Sequence, residues 1–255
     1  MSESGIAHIL RFDSLPSTNQ YCESLDPSSV EAFTVVWALS QPAGIGQQGN
    51  RWESEPGQNL TFSLLLKPTE LAADQQFTIT QLLSVGITDW LLALLPHTLH
   101  DDVHIKWPND IYVGHRKLGG ILVSNRLHGH RLQSSICGIG LNINQTHFPQ
   151  WVPNPTSVAL LTGQTMPLES TLHDVVGCIA RRYEALRSGD ANQLLTTYLD
   201  RLLNYCQPAN YLYRSTPLRA TIVGTTPLGL LRLVDEDDRL MTADLKELQY
   251  LFPSE

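Results

Sequence analysis

The 255-residue chain is 42% hydrophobic and 16% charged, an ordinary balance for a chain that buries a sizeable core, and it excludes a low-complexity or disordered class. Seventeen basic side chains against 25 acidic ones give a net charge of −8, which argues against a general nucleic-acid or anionic-membrane surface. Any phosphate site must therefore be local. The longest uninterrupted apolar run in the helical region, Leu91 to Leu95, falls far short of the roughly 18 residues a membrane span needs, so no membrane association is expected.

The N-terminal residues MSESGIAH carry neither a basic leader nor an apolar segment, and a cytoplasmic location is expected. A strand is predicted over 5–12, then a short helix capped by Ser17 or Thr18, then a strand over 33–39. Gly44-Ile45-Gly46-Gln47-Gln48-Gly49 matches the spacing of a dinucleotide-binding loop after a strand. That fingerprint must open a helix, however, and Pro56-Gly57 follows too soon for one to form. The glycines are read instead as a loop able to wrap an anion or close over a ligand.

A strand over 59–67 precedes a helix over about 75–95, where Ile79, Leu82, Leu83, Gly86, Ile87, Trp90 and Leu94 recur at helical spacing as a core stripe. Strands are predicted over 103–107, 111–113, 116–125 and about 131–141. Within them, Lys106 to Gly120 (KWPNDIYVGHRKLGG) is the most informative stretch. Gly114-His115 closes a two-residue hairpin that sets Val113 opposite Arg116, Tyr112 opposite Lys117 and Ile111 opposite Leu118. Alternation then buries Ile111 and Leu118 and gathers Asp110, Tyr112 and Lys117 on the other face. Gly119 and Gly120 let a flat or anionic group approach the backbone, and Pro108 fixes the turn that presents Asn109 and Asp110.

The Pro-rich loop 149–155 leads to helices over 168–187 and 190–203 that back the sheet. From about residue 208, short runs at 209–213, 217–223, 228–234, 239–242 and 246–252 have the rhythm of a small barrel. Cys22, Cys137, Cys178 and Cys206 lie far apart without paired spacing, as buried, reduced thiols would. The nine histidines show no zinc-type spacing and read as loop and surface residues.

The stretch around Lys106 and Lys117 resembles the core signature of the biotin protein ligases. Ser17-Thr18-Asn19-Gln20, Ala43-Gly44 through Trp52 and the GIGLNIN run from Gly138 to Asn144 agree with that family in the same order. The resemblance implies an α+β fold with a mixed or antiparallel sheet backed by helices, like class II aminoacyl-tRNA synthetases. It also implies a catalytic domain over 1–207 and an SH3-like β domain over 208–255. Residues 1 to 10 leave no room for the DNA-binding helix-turn-helix of some members, so no repressor role and no nucleic-acid partner are expected. The implied activity is a C–N bond-forming ligase that makes biotinyl-5′-AMP from biotin and MgATP. It then passes biotin to one lysine of a biotin carboxyl carrier protein. The family also suggests a homodimer.

By the same resemblance, biotin meets Ser17, Thr18, Asn19, Gln41, Gly44, Gly46, Gln47, Lys117, Gly119 and Gly120. The nucleotide meets Arg51, Trp52, Lys106, Asn109, Asp110 and Asn142, with Asp110 as the Mg²⁺ ligand and Lys117 as the catalytic cation between carboxylate and α-phosphate. Ser17 also suits a plain helix cap, Gln41 a solvated loop and Asn144 a turn. The chain departs from the family's GRGRRG loop, since Ile45, Gln47 and Gln48 stand where arginines are usual. A cation lost 4 Å from a phosphate removes roughly 4 kcal/mol of attraction at an effective dielectric of 20. Either Arg51, Lys106 and Lys117 carry the charge, or the chain is a weakly catalytic biotin-binding protein. A lipoate or octanoyl transferase of the same fold is the other alternative, and would be expected to lack the KWPND element.

Overall fold

In the computed structural model, which describes residue 6 and residues 8–26 and 28–252, β1 (His8–Phe12) pairs in parallel with β2 (Thr34–Ala38). The expected start of β1 at residue 5 and most of the N-terminal segment read for a leader lie outside the described residues. Every other pairing in the first sheet is antiparallel: β2 with β3 (Leu60–Leu66), β3 with β7 (Arg131–Leu141), β7 with β6 (Arg116–His128), β6 with β5 (Asp110–Val113), and β5 with β4 (Val103–Lys106). The sheet is therefore mixed, with seven strands in the order β1-β2-β3-β7-β6-β5-β4.

All residues of β2 and β3 are buried, as strands covered on both faces must be. Helix α1 (Thr18–Ser24) covers one face, where Cys22 packs with Val36, Leu65 and Ile136. Helix α2 (Phe77–Leu94) covers the other. Helices α4 (Leu168–Arg187) and α5 (Ala191–Asp200) pack against α2, and α4 also backs the β1–β2 side of the sheet, where Tyr183 meets Phe33 edge-on at 5.3 Å. Gly86 lets α4 come close, since a methyl group there would strike the Ile179 backbone at 2.9 Å. Residues Ala73–Leu94 are long and apolar enough to cross a bilayer, which the count of uninterrupted apolar residues missed. Their packing against both the sheet and α4 accounts for that composition, with 72% of the apolar stretch buried inside the fold.

The short helix α3 (Val158–Thr162) was not predicted; five residues are too few to show a period. The C-terminal runs form β8 (Pro208–Tyr213), β9 (Thr216–Thr225), β10 (Leu231–Asp235), β11 (Leu240–Ala243) and β12 (Leu248–Tyr250), close to their expected bounds. They pair antiparallel in the order β11-β10-β9-β8-β12, and the described pairings do not close into the expected barrel. Cys22, Cys137 and Cys178 are buried, and burial pushes the Cys22 thiol up to about 12. Cys206 is exposed, contrary to expectation.

Three helices meet at one ion cluster. Arg182 Nε lies 2.6 Å from Asp89 Oδ2 and Arg201 Nη2 lies 2.9 Å from Asp89 Oδ1. Arg201 also donates to Val85 O and Thr88 Oγ1. Burial alone would raise the Asp89 carboxyl, but the hydrogen bond from Arg182 and the charge of Arg201 outweigh it and hold the group below the ordinary range. Asp89→Asn is expected to cost about 2 kcal/mol at pH 7, less than a fully buried pair because the cluster is partly solvated. A depressed folded-state pKa gives stability that is present above the unfolded carboxylate value, about 3.9, and lost as pH falls through the folded one. Urea unfolding should therefore show the penalty shrinking below about pH 4.

Candidate functional site

Lys106 ends β4 and Asp110 opens β5, with a cis Trp107–Pro108 bond between them. The turn is tied on three sides: Trp107 Nε1 donates to Gly229 O at 2.9 Å, the Tyr198 hydroxyl donates to Pro108 O at 3.2 Å, and the Asn109 amide donates to Ile121 O. The hairpin keeps the expected pairs Val113–Arg116 and Tyr112–Lys117. It then breaks register, so Ile111 faces Gly119 instead of Leu118 and Asp110 faces Gly120. A bulge of this kind increases local twist and re-aims a side chain. Lys117 Nζ ends 2.7 Å from Asp110 Oδ1, while Ile111 and Leu118 stay fully buried as alternation required.

Lys106 Nζ lies 4.0 Å from Asp110 Oδ2, so one carboxylate serves two ammonium groups and the trio keeps about one net positive charge. Burial holds the Lys106 ammonium below its usual range, with Asp110 opposing and Lys117 adding to the depression. The Lys117 backbone is clamped as well: its N–H donates to Asn154 O at 2.7 Å, and its carbonyl accepts from Thr156 N at 2.9 Å.

At the other end, Ser17 caps α1 and accepts from Gln20 N–H. Thr18 N–H donates to Gln41 Oε1 at 2.7 Å, which makes Gln41 a fixed residue and not a solvated one. Ser63 Oγ lies 2.7 Å from Thr18 Oγ1 and 2.5 Å from Asn19 Oδ1, and Asn19 Nδ2 donates to Leu122 O at 3.4 Å. This end presents neutral hydroxyls and amides.

The glycine loop forms no long helix, as its context required. Ile45 bridges Arg51 in antiparallel fashion, Gly46 N–H donates to Asn50 O at 2.6 Å, and a 3-10 turn spans Gln47–Gly49. Ile45 is 42% exposed, and Arg51 turns to Glu53 at 3.5 Å. Trp52 lies over Gly140, where any side chain would collide with its indole, and its buried Nε1 has no hydrogen-bond partner.

Together these residues line a cavity of about 280 Å³. It gathers Ser17, Thr18, Asn19, Gln41, Gly44, Gly46, Gln47, Arg51, Trp52, Lys106, Asn109, Asp110, Lys117 and Gly120. Gly119 and Asn142 do not line it. Gly119 faces Leu141 and the Gly140 carbonyl, so it serves sheet packing. Asn142 is buried with its amide donating to Thr156 O at 2.9 Å, which steadies the segment that clamps Lys117. Sequence reasoning missed Phe62, Ile121, Leu122, Gly138, Ile139, Gly140 and Leu245 as lining residues. Gly138 and Gly140 two apart in a strand were the available signal, since glycine there marks a close approach; Gly138 yields to Asn19 and Gly140 to Trp52. Leu245 comes from the second sheet's β11–β12 connection and gave no signal.

Among the described residues no three His, Cys, Asp or Glu side chains gather as a metal cage. Among the described residues, Asp110 is the one carboxylate lining the cavity. That donor set suits Mg²⁺ carried in on a triphosphate, which is held through one or two carboxylates plus phosphate oxygens.

Residues 11–142, just over half of the chain, match the Biotin/lipoate A/B protein ligase family. The chain belongs to this family. Among curated relatives, the Bifunctional ligase/repressor BirA of Bacillus subtilis is 28% identical over 179 residues, covering 69% of this chain and 54% of that protein. The Biotin–[acetyl-CoA-carboxylase] ligase of Paracoccus denitrificans is 33% identical over 130 residues, 50% of this chain and 51% of the relative. The chain thus spans about half the length of these family members. The solved biotin protein ligase from Aquifex aeolicus, in complex with biotin and ATP, aligns with a TM-score of 0.77 at 21% identity, covering 96% of this chain and 98% of that one, a likeness of fold.

Gly140→Val should lift the Trp52 indole off the sheet at a stability cost of about 1 kcal/mol. In 19F spectra of fluorotryptophan-labelled protein, one of five tryptophan signals, assigned by Trp52→Phe, should move towards the solvent-exposed position.

Proposed function

We propose that the chain is a biotin–carrier-protein ligase. The observation that carries this is one cavity with a neutral hydroxyl and amide cluster at one end and the Lys106–Asp110–Lys117 cluster at the other. A cyclic urea needs neutral donors and acceptors, which Ser17, Thr18, Asn19 and Gln41 supply. A carboxylate attacking a phosphate needs a cation between two anions, which Lys117 supplies. Family membership and the ligases among its relatives support the same reading.

In this reading a biotin carboxylate oxygen attacks the α-phosphorus of ATP and pyrophosphate leaves. Lys117 stabilises the charge gathering on the equatorial oxygens. Lys106 and Arg51 hold phosphates, Trp52 lies against the adenine, Asn109 shapes the nucleotide end, and Gly120 leaves room beside Lys117 for the biotin carboxylate. Asn142 acts at one remove, through Thr156 and the Lys117 clamp. A Mg²⁺ ion brought with the triphosphate supplies charge neutralisation, and Asp110 offers it an oxygen. The amine of a lysine on a biotin carboxyl carrier protein then attacks the acyl carbon of biotinyl-5′-AMP, and AMP leaves. The glycine loop shields that anhydride from water. The reading includes a cytoplasmic location, a catalytic unit over 1–207 followed by an SH3-like unit over 208–255, and a homodimer.

The test is to mix the protein with labelled biotin, MgATP and an apo carrier domain and count label on the carrier lysine. Lys117→Ala should lower biotinyl-adenylate formation at least about a hundredfold, the scale of losing one transition-state charge contact. Label transferred from lipoate in place of biotin would favour the transferase alternative. Biotin binding without pyrophosphate release would favour a sequestering protein, the reading that Ile45 and Gln47 keep open.

A further inference from the structure

The second sheet reaches the hairpin of the site by several contacts. Lys106 Nζ lies 5.0 Å from the centre of the Tyr250 ring on β12 and 5.8 Å from the Tyr112 ring on β5. Phe252, just past β12, stacks on Tyr112 with centroids 5.8 Å apart, and Trp107 Nε1 donates to Gly229 O beside β10. Tyr250 is itself fixed edge-on by Tyr211 at 5.2 Å. Asp110 stands 4.0 Å from Lys106 and only 2.7 Å from Lys117, so the carboxylate favours Lys117 and cannot alone set where the Lys106 ammonium points.

Two aromatic faces within about 6 Å of a poorly hydrated ammonium attract it and restrict its motion. We propose that Tyr250 is a positioning residue: with Tyr112 it cages the Lys106 ammonium at the cavity wall, so that the second sheet sets the site's affinity for the nucleotide phosphates. This rests on the nucleotide reading of that cavity. A tyrosine ring orders the cation without neutralising it, whereas a second carboxylate in its place would cancel the charge that a phosphate needs.

The chain has only four lysines, Lys67, Lys106, Lys117 and Lys246, so protein labelled with [13Cε]lysine gives four side-chain signals, with Lys106 assigned by Lys106→Arg. Ring currents should place the Lys106 signal upfield of Lys67 and Lys246, while Lys117, 6.0 Å from the Trp52 ring centre, has a ring of its own and is assigned by Lys117→Arg. The Lys106 signal should move towards those of Lys67 and Lys246 in Tyr250→Leu and stay in Tyr250→Phe. In steady-state adenylation, Tyr250→Leu should raise the KM for MgATP about fivefold. Its kcat and KM for biotin should stay within about twofold, and Tyr250→Phe should restore the low KM. The cage is overturned if the wild-type Lys106 signal coincides with those of Lys67 and Lys246, a comparison made on the unaltered protein. It is also overturned if Tyr250→Leu leaves the signal in place or raises both KM values together. If the wild type proves inert on biotin and ATP while the Lys106 signal behaves as described, the functional reading fails and the cage stands.

Discussion

Two of the chain's four lysines converge on a single carboxylate at one end of its cavity, in a molecule whose formal charge is −8. Two ammonium groups brought together without Asp110 would repel, and two carboxylates beside them would leave nothing for an anion to bind. One acid for two bases leaves about one positive charge where surrounding residues exclude much of the water. At that local dielectric, a unit charge 4 Å from a phosphate contributes roughly 4 kcal/mol. The rest of the site can be understood as what holds this trio in place. The bulge aims Lys117, the 154–156 segment clamps its backbone, and the Trp107 and Asn109 bonds fix the turn that carries Lys106 and Asp110.

The floor beneath that charge is made by absence. β7 runs through the middle of the sheet, and Gly138 and Gly140 leave room on one of its faces for Asn19 and, next along the strand, the Trp52 indole. The Trp52 Nε1 donor has no partner, and an unpaired buried donor is costly unless a ligand or water meets it. The strand therefore contributes to both ends of the cavity without placing a functional side chain in it.

Much of this was legible in the sequence, and the exceptions share a cause. The two-residue Gly114-His115 turn fixed the first two cross-strand pairs, because turn length sets register nearby. It did not fix the third, since a bulge depends on how β6 twists to meet both β5 and β7. Period-2 alternation still identified the buried Ile111 and Leu118, because both remain on the core side of the bulge. Gly119 and Gly120 look alike as a diglycine yet face opposite ways, one into packing and one towards Asp110 and Lys117. Asn142 pairs with a segment 14 residues away, and Leu245 and Tyr250 arrive from another sheet; local pattern carries no information about such meetings.

The glycine loop brings the argument back to charge. Its one remaining arginine is solvent-exposed and turned to Glu53, and Ile45 and Gln47 line the cavity where a cation would otherwise stand. Closing such a loop excludes water and brings only Arg51, already paired with Glu53, so most of the electrostatic complementarity to an anion has to be in place before closure. It is carried by residues on or beside β4, β5 and β6; β5 is paired on both sides, the Lys117 backbone on β6 is held by the 154–156 segment, and the edge strand β4 is tied at Ile105 to Arg201 O and Leu203 N. Charges held on such a rigid frame need little reorganisation when new charge develops beside them, which is where electrostatic stabilisation is most effective. The sheet thus carries the site's positive charge, and the wall that orders Lys106 becomes correspondingly more important.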